Sequence, residues 1–117
     1  MLEIKNKNIS LNRGEKITIQ LTCGNSSFEV GDKIKFSIME KGNSDNVIFQ
    51  KIFISEARRD TIPLTLEAEE TKTGEPIKTG YKDYWYEIEL NEETTLIGYD
   101  NYGPKLFILG PESGKVE

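Results

Sequence analysis

The sequence predicts an all-β domain, an antiparallel β-sandwich of about seven to eight strands. Apolar residues recur at every second position in several stretches, and Gly, Asn and Asp residues separate these stretches. No segment has apolar residues at helical spacing over more than two turns. Because 117 residues are enough for one hydrophobic core, we expect a single domain over residues 1–117.

Four segments alternate cleanly between apolar and polar residues, namely residues 16–23, 32–39, 61–68 and 84–90. A period of two is typical of strands that bury one face and leave the other in water. The residues predicted to face the core are Ile17, Ile19, Leu21, Cys23, Ile34, Phe36, Ile38, Ile62, Leu64, Leu66, Ala68, Tyr84, Tyr86, Ile88 and Leu90.

The segment VIFQKIFI, residues 47–54, does not alternate cleanly. Either Lys51 marks a bulge at which the inward face changes, or both faces are partly covered. In both cases some apolar side chains must point partly outwards, and they are Phe49 and Phe53 or Ile48, Ile52 and Ile54. The segment is therefore either an edge covered by a neighbouring loop or a contact surface for another subunit.

The remaining segments are predicted to be turns, a loop and a hairpin. Residues 42–46, GNSDN, have turn composition, and residues 69–80 are expected to form a long irregular loop. Residues 94–110 contain two apolar stretches separated by DNYGP, and this pattern predicts a hairpin with a five-residue connection at 100–104.

The composition disfavours several classes of partner and site. The formal net charge of −5 disfavours nucleic acids and acidic membrane surfaces, which both require a basic face. The sequence contains no histidine and one cysteine, Cys23, so neither a Cys/His zinc site nor an internal disulfide is expected. The first residues have no apolar run of signal-peptide length, and we expect a protein made in a reducing cytoplasm.

No arrangement of residues predicts an enzyme or a cofactor site. The acidic pairs Glu67/Glu69 and Glu87/Glu89 each lie on one strand face about 7 Å apart, a separation found in inverting glycosidases. Charged residues on an outer strand face are, however, what solubility requires. The Asn- and Asp-rich runs 43–46 and 100–103 could offer oxygen ligands to calcium, but ordinary turn chemistry explains them better.

Trp85 is the residue that most invites a functional interpretation. Alternation places it with Glu87 and Glu89 on the face opposite Tyr84 and Tyr86. An exposed tryptophan could anchor a protein partner or stack on a sugar ring. The alternative is that the loop at 69–80 covers Trp85 or that a bulge turns it inwards.

Five segments of the chain carry a resemblance to a known family. They are Phe28–Ile38 (FEVGDKIKFSI), Ile48–Lys51 (IFQK), Ile62–Thr71 (IPLTLEAEET), Tyr84–Leu90 (YWYEIEL) and Thr95–Leu109 (TLIGYDNYGPKLFIL). Together they resemble the small Ig-like virion domains of tailed phages and prophages of Gram-positive bacteria. This group is similar to the N-terminal domain of phage baseplate upper proteins, and the resemblance covers residues Ile17 to Leu109.

The resemblance implies an Ig-like sandwich that serves for assembly or attachment, without catalysis or cofactors. We therefore expect a tail or baseplate accessory component that docks on itself or on other virion proteins, in the bacterial host cytoplasm during assembly and then in the virion. The candidate contacts are Trp85, Phe49, Phe53, Ile48 and Ile52. The alternative is an Ig-like carbohydrate- or ligand-binding module in which Trp85, Tyr81 and Tyr102 stack on sugar rings.

Overall fold

The structure of the chain is a computed structural model. It describes residues 3–5, 7–22, 27–98 and 105–111, without the side chains of residues 3–5, 43 and 44. The described residues form nine strands and no helix, which confirms the all-β class. In particular, they include no helix long and apolar enough to cross a membrane.

The nine strands follow one another along the chain with turns between them. They are β1 (Glu3–Lys5), β2 (Asn8–Asn12), β3 (Ile17–Thr22), β4 (Lys33–Glu40), β5 (Asn43–Ile54), β6 (Thr61–Leu66), β7 (Lys82–Leu90), β8 (Thr94–Ile97) and β9 (Lys105–Gly110).

The strands form two sheets. Seven belong to a large sheet in the order β1-β2-β9-β7-β4-β5, with β8 paired to β7 beyond the end of β9, and β3 and β6 form a small sheet. The prediction of a purely antiparallel sandwich is wrong for one pair: β2 runs parallel to β9, so the large sheet is mixed, while its other pairs are antiparallel. Buried apolar side chains of both sheets belong to one core, so the arrangement is sandwich-like.

The centre of the core is a cluster of three aromatic rings on β4, β7 and β9. The Phe36 and Tyr86 rings stack with their centroids 5.6 Å apart, and Phe107 meets both rings edge-on at 5.9 and 6.2 Å. Tyr84 and Tyr86 are both buried, which confirms their predicted inward orientation. The Tyr84 hydroxyl accepts a hydrogen bond from the Glu75 N–H at 2.9 Å, and the Tyr86 hydroxyl donates to the Lys7 carbonyl.

The inward faces of the alternating segments are confirmed, apart from two positions. The outer face of β4 is not open to water as predicted, because Ser37 and Met39 are also buried. The predicted core residues on β3, β4, β6 and β7 are buried, and Leu90 is half-buried against the core. Ala68 was wrongly predicted to be inward: β6 ends at Leu66, the Glu70 and Thr71 N–H groups donate to the Glu67 carbonyl, and the resulting turn leaves Ala68 exposed. Cys23 lies outside the described residues.

The prediction of a hairpin at 94–110 is wrong. Both β8 and β9 pair antiparallel with β7, β8 with residues 88–90 and β9 with residues 82–86. Two strands that are antiparallel to the same neighbour point the same way, so β8 and β9 extend along β7 one after the other. The hairpin lies instead between β7 and β8, where Asn91 and Glu92 both have positive φ angles.

The turn predicted at 42–46 is shorter than expected. Strand β5 begins at Asn43, which pairs with Glu40, so only Lys41 and Gly42 form the connection. Gly42 has a φ of 82°, which a glycine adopts without steric cost. Residues 67–81, by contrast, contain neither strand nor helix, which confirms the predicted irregular loop at 69–80.

Candidate functional site

Strand β5 forms one edge of the large sheet, and its pairing with β4 determines which side chains point outwards. Residues Phe49, Lys51 and Phe53 pair with the buried residues Ile38, Phe36 and Ile34, so they lie on the inner face. Ile52 and Ile54 lie on the outer face, where each exposes 52% of its surface.

Of the two alternatives for residues 47–54, a bulge at Lys51 is not observed, because Lys51 is in register with Phe36. The register with β4 shifts between Phe49 and Val47, which makes Ile48 the extra residue. After the bulge, Val47 is opposite Met39 on the outer face and is 42% exposed. We call Val47, Ile52 and Ile54 the β5 patch.

The backbone of β5 is unpaired along the outer edge next to this patch. Ser55 N–H donates to the Asp32 carbonyl, and the Ser55 carbonyl accepts from Gly31 N–H, so the backbone groups of Ser55 point towards β4. Backbone groups alternate along a strand, and those of Gln50, Ile52 and Ile54 therefore point away from β4. Among the described strands β4 is the one neighbour of β5, so these groups have no strand partner.

Lys51 connects β5 to the small sheet. Its ammonium group donates to the Thr65 carbonyl of β6 at 2.8 Å and to the Glu70 carboxylate at 2.7 Å, and it also lies 5.2 Å from the centroid of the Phe53 ring. Burial raises the pKa of Glu70, but hydrogen bonds from Lys51 and from the Glu67 N–H outweigh this effect and hold that pKa below its ordinary value. The Glu70 carboxylate thus neutralises the charge of Lys51 on the inner face of β5.

The five predicted contact residues do not form one surface. Ile52 is exposed in the β5 patch, whereas Ile48, Phe49 and Phe53 are half-buried against the core. Trp85 is half-buried on the outer face of β7. The prediction missed Val47 as an exposed apolar residue, because the sequence of residues 47–54 gives no sign that a bulge at Ile48 turns it outwards.

Trp85 belongs to a row of apolar residues across the outer face of the large sheet. Its neighbours in register are Leu106 on β9 and Met39 on β4, and Met39 is in turn opposite Val47 of the β5 patch. The pairing of β4 with β7 has no register shift at Trp85, so a bulge there does not turn the ring inwards. The loop at 69–80 lies instead over the inner face, with Gly74 against the Tyr84 ring.

The acidic residues of β7 form a charged cluster on the same outer face. Lys35 on β4 forms ion pairs with Glu89 at 3.5 Å and with Glu92 at 3.3 Å, and the hydrogen bond that Lys35 donates to the Glu92 carboxylate is the main cause of the raised pKa of Lys35. Burial and repulsion by Glu89 raise the pKa of Glu87. The other predicted acidic pair is on the exposed turn after β6, where Glu67 pairs with Lys16 at 3.6 Å.

A groove of about 690 Å³ lies between the sheets on the side away from β5. It is lined by β3 from Thr18 to Thr22, by Leu96 and Ile97 of β8, and by the core residues Ile9 and Tyr86. Burial strongly raises the pKa of Tyr86, so this side chain lines the groove as a neutral phenol. Lys7, just before β2, also contributes to the lining. Nothing in the sequence pattern predicted the groove.

Within the part of the chain that the structure describes, no group of three or more acidic or cysteine side chains could hold a metal ion. Residues 43–46, one of the two candidate calcium runs, belong to the start of β5, and the other, 100–103, lies outside the described residues.

Comparison of the chain with protein-family models, with curated proteins and with solved structures finds no match.

Proposed function

We propose that this chain is a non-catalytic structural protein that assembles by docking of the β5 edge against a second copy of itself. The observation that carries this proposal is the coincidence of an unpaired backbone, from Gln50 to Ile54, with the exposed apolar side chains of the β5 patch. An apolar strand edge with free N–H and C=O groups is a template for pairing with another strand.

A two-fold axis through Ile52 gives the best register for this pairing. Ile52 then lies opposite Ile52 of the second copy, and Gln50 lies opposite Ile54, so that every outward N–H meets an outward C=O. Moving the axis towards Ile48 is unfavourable, because the Ile48 carbonyl already accepts a hydrogen bond from Thr73 at 3.4 Å. Lys51, an inward charge of the kind that discourages edge pairing, is neutralised by Glu70.

We further propose that the assembly is a phage or prophage particle, in which the chain is a tail or baseplate accessory component. The resemblance of residues Ile17 to Leu109 to Ig-like virion domains supports this assignment. A second contact surface for other virion proteins consists of exposed Val47 and half-buried Trp85 and Leu106, which keeps Trp85 among the proposed contacts. Met39 lies in the same row but is buried. Assembly takes place in the bacterial host cytoplasm, and the final location is the virion.

Disulfide trapping tests the proposed register directly. In a chain with Cys23→Ser, the Ile52→Cys variant should form a covalent dimer on mild oxidation, because directly opposite residues have Cα atoms about 5.5 Å apart. The matched control is Gln50→Cys, because residue 50 lies opposite Ile54 of the other copy and not opposite a second cysteine. This variant should run as a monomer in gel electrophoresis without a reducing agent. Equal trapping of both variants, or of neither, would refute the register.

A second candidate function is binding of a carbohydrate or other ligand by exposed aromatic rings. Tyr81, which is 63% exposed, precedes β7 and shares the outer face with Trp85, while Asp83 and Glu87 on that face could bind hydroxyl groups. A glycan array with the wild-type chain and with Trp85→Ala tests this candidate. Binding that disappears with Trp85→Ala supports it, whereas an array without signal, or with equal signal for both chains, excludes it.

A further inference from the structure

We infer that the groove beside β3 accepts an extended, largely apolar peptide segment of another protein, which pairs with β3 as an added strand. The segment should carry an acidic residue near Lys7. This site lies on the opposite side of the sandwich from the β5 edge, so it goes beyond the proposed self-assembly and can be tested independently of it.

Strand β3 has a free backbone edge along the groove. Among the described strands, β3 pairs with β6 alone, and Gln20 lies opposite Pro63 in that pair. Proline has no N–H, so it occupies positions whose backbone points away from the neighbouring strand. Gln20 and Pro63 are therefore a non-hydrogen-bonded pair, and the N–H and C=O groups of Gln20 point away from β6.

A separate contact leads to the same assignment. The Thr65 carbonyl accepts a hydrogen bond from Lys51, which belongs to the other sheet, so Thr65 also directs its backbone away from β3. Its partner Thr18 must then direct its own backbone groups away from β6, as Gln20 does. By the same alternation, Thr18, Gln20 and Thr22 present a row of N–H and C=O groups on the side of β3 that lines the groove.

The dimensions of the groove match a short extended segment. The stretch of β3 from Thr18 to Thr22 is five residues long, or about 17 Å at the rise of a β-strand. A volume of about 690 Å³ is within the range of ligand-binding clefts. In β-strand addition the backbone supplies the hydrogen bonds, and pockets for alternate side chains supply the specificity.

The lining defines the chemistry of the segment. Ile9, Ile19, Leu21, Leu96 and Ile97 are apolar, so every second residue of the added strand should be an aliphatic residue facing the core. Although the chain has a net charge of −5, the described lining contains no carboxylate, and Lys7 is its single charged residue. A carboxylate on the bound segment would therefore be attracted by the Lys7 ammonium group, and no carboxylate of the described lining would repel it.

Selection from a library of displayed random octapeptides tests the inference. The wild-type chain should enrich peptides with alternating aliphatic residues and an Asp or Glu towards one end. The Gln20→Pro variant removes one N–H from the free edge without removing a hydrogen bond to β6, and it should bind a selected peptide about tenfold more weakly. The matched control Gln20→Thr, which keeps the N–H, should bind like the wild type.

N-methylation of the selected peptide tests the pairing without any change to the protein. Methylating the amides that face β3 should abolish binding, whereas methylating the alternate amides should leave it unchanged. This methylation scan tests whether the peptide pairs with β3 even if the Gln20→Pro variant does not fold. Equal effects of both methylation sets, or enrichment of peptides without an alternating pattern, would overturn the inference.

The role of Lys7 is tested by the Lys7→Asn variant. Lys7 has a φ of 67°, a conformation that asparagine tolerates better than most residues, so the substitution removes the charge without adding backbone strain. We expect the preference of the groove for an acidic over an amide side chain on the peptide to fall by about threefold, because an exposed ion pair contributes only modestly to binding. An unchanged preference would contradict the assignment of the acidic residue to Lys7.

Discussion

The ammonium group of Lys51 on β5 lies 2.7 Å from the carboxylate of Glu70, in the turn after β6. This ion pair, together with the hydrogen bond from Lys51 to the Thr65 carbonyl, holds the edge of the large sheet against the edge of the small sheet. One side of the sandwich is thereby closed by polar contacts, while the opposite side retains the groove beside β3. The two sides of the sandwich therefore differ, because one is closed and the other is open along the groove.

The Glu70→Gln variant tests the contribution of this ion pair to stability. The amide keeps an acceptor for Lys51 and for the Glu67 N–H but removes the charge, and we expect the free energy of unfolding at pH 7 to fall by about 1 kcal/mol. Urea denaturation of both chains, followed by tryptophan fluorescence, measures the difference.

The same pair of chains should show a defined pH dependence. Because the pKa of Glu70 is lowered in the folded state, its stabilising effect is present above its ordinary value of 4.5 and is lost as the pH falls through the folded pKa. The stability difference between wild type and Glu70→Gln should therefore be full at pH 7 and shrink below pH 4.5. A difference that stays constant down to pH 3 would show that the charge of Glu70 is not its source.

Gly74 is predicted to be intolerant of a side chain, because it lies against a buried ring. A Cβ atom there would lie 2.3 Å from the Tyr84 hydroxyl oxygen, and Tyr84 is fully buried. Gly80 has a similar positive φ, 75° against 73°, but no atom within 4 Å of an added Cβ. We expect Gly80→Ala to cost about 1 kcal/mol from backbone strain and Gly74→Ala to cost about 1–3 kcal/mol more. Equal melting temperatures for the two variants would contradict the contact.

The aromatic cluster should contribute more to stability than the phenylalanines of the edge strand. Phe36 is fully buried between Tyr86 and Phe107, and Phe36→Ala should lower the free energy of unfolding by about 3–5 kcal/mol. Phe49, half-buried on neighbouring β5, serves as the comparison, and Phe49→Ala should cost about half as much. If Phe49→Ala cost as much as Phe36→Ala, β5 would be part of the core and not a surface edge.

The core-facing residues could be predicted well from the sequence. A strand that buries one face has an apolar residue at every second position, and this pattern is visible in the sequence itself. Ile34, Phe36 and Ile38 are buried as expected from that period. Pairing partners, by contrast, depend on contacts between segments that are distant along the chain. The hairpin at 94–110 was predicted from neighbouring stretches alone, while the actual partner of both β8 and β9 is β7.

The β5 patch and the groove beside β3 were harder to predict, each for a physical reason. The bulge at Ile48 turns Val47 outwards, and a bulge changes the face of a side chain without any change in composition. The groove arises from the relative placement of two sheets, which no local pattern encodes.

The solution mass of the purified chain, measured by size-exclusion chromatography with light scattering over a concentration series, tests the β5 edge most directly. Three chains are compared: wild type, Ile52→Glu, and Thr61→Glu as the control for charge. Ile52 lies beside Lys35 within one chain, so a carboxylate is tolerated there, whereas two carboxylates would face each other across the two-fold axis. Thr61 is exposed on the small sheet.

We expect wild type and Thr61→Glu to form a dimer or larger closed assembly as the concentration rises, and Ile52→Glu to remain a monomer. A wild-type chain that stays monomeric over the whole series, or an Ile52→Glu variant that assembles as well as the wild type, would contradict self-docking through β5.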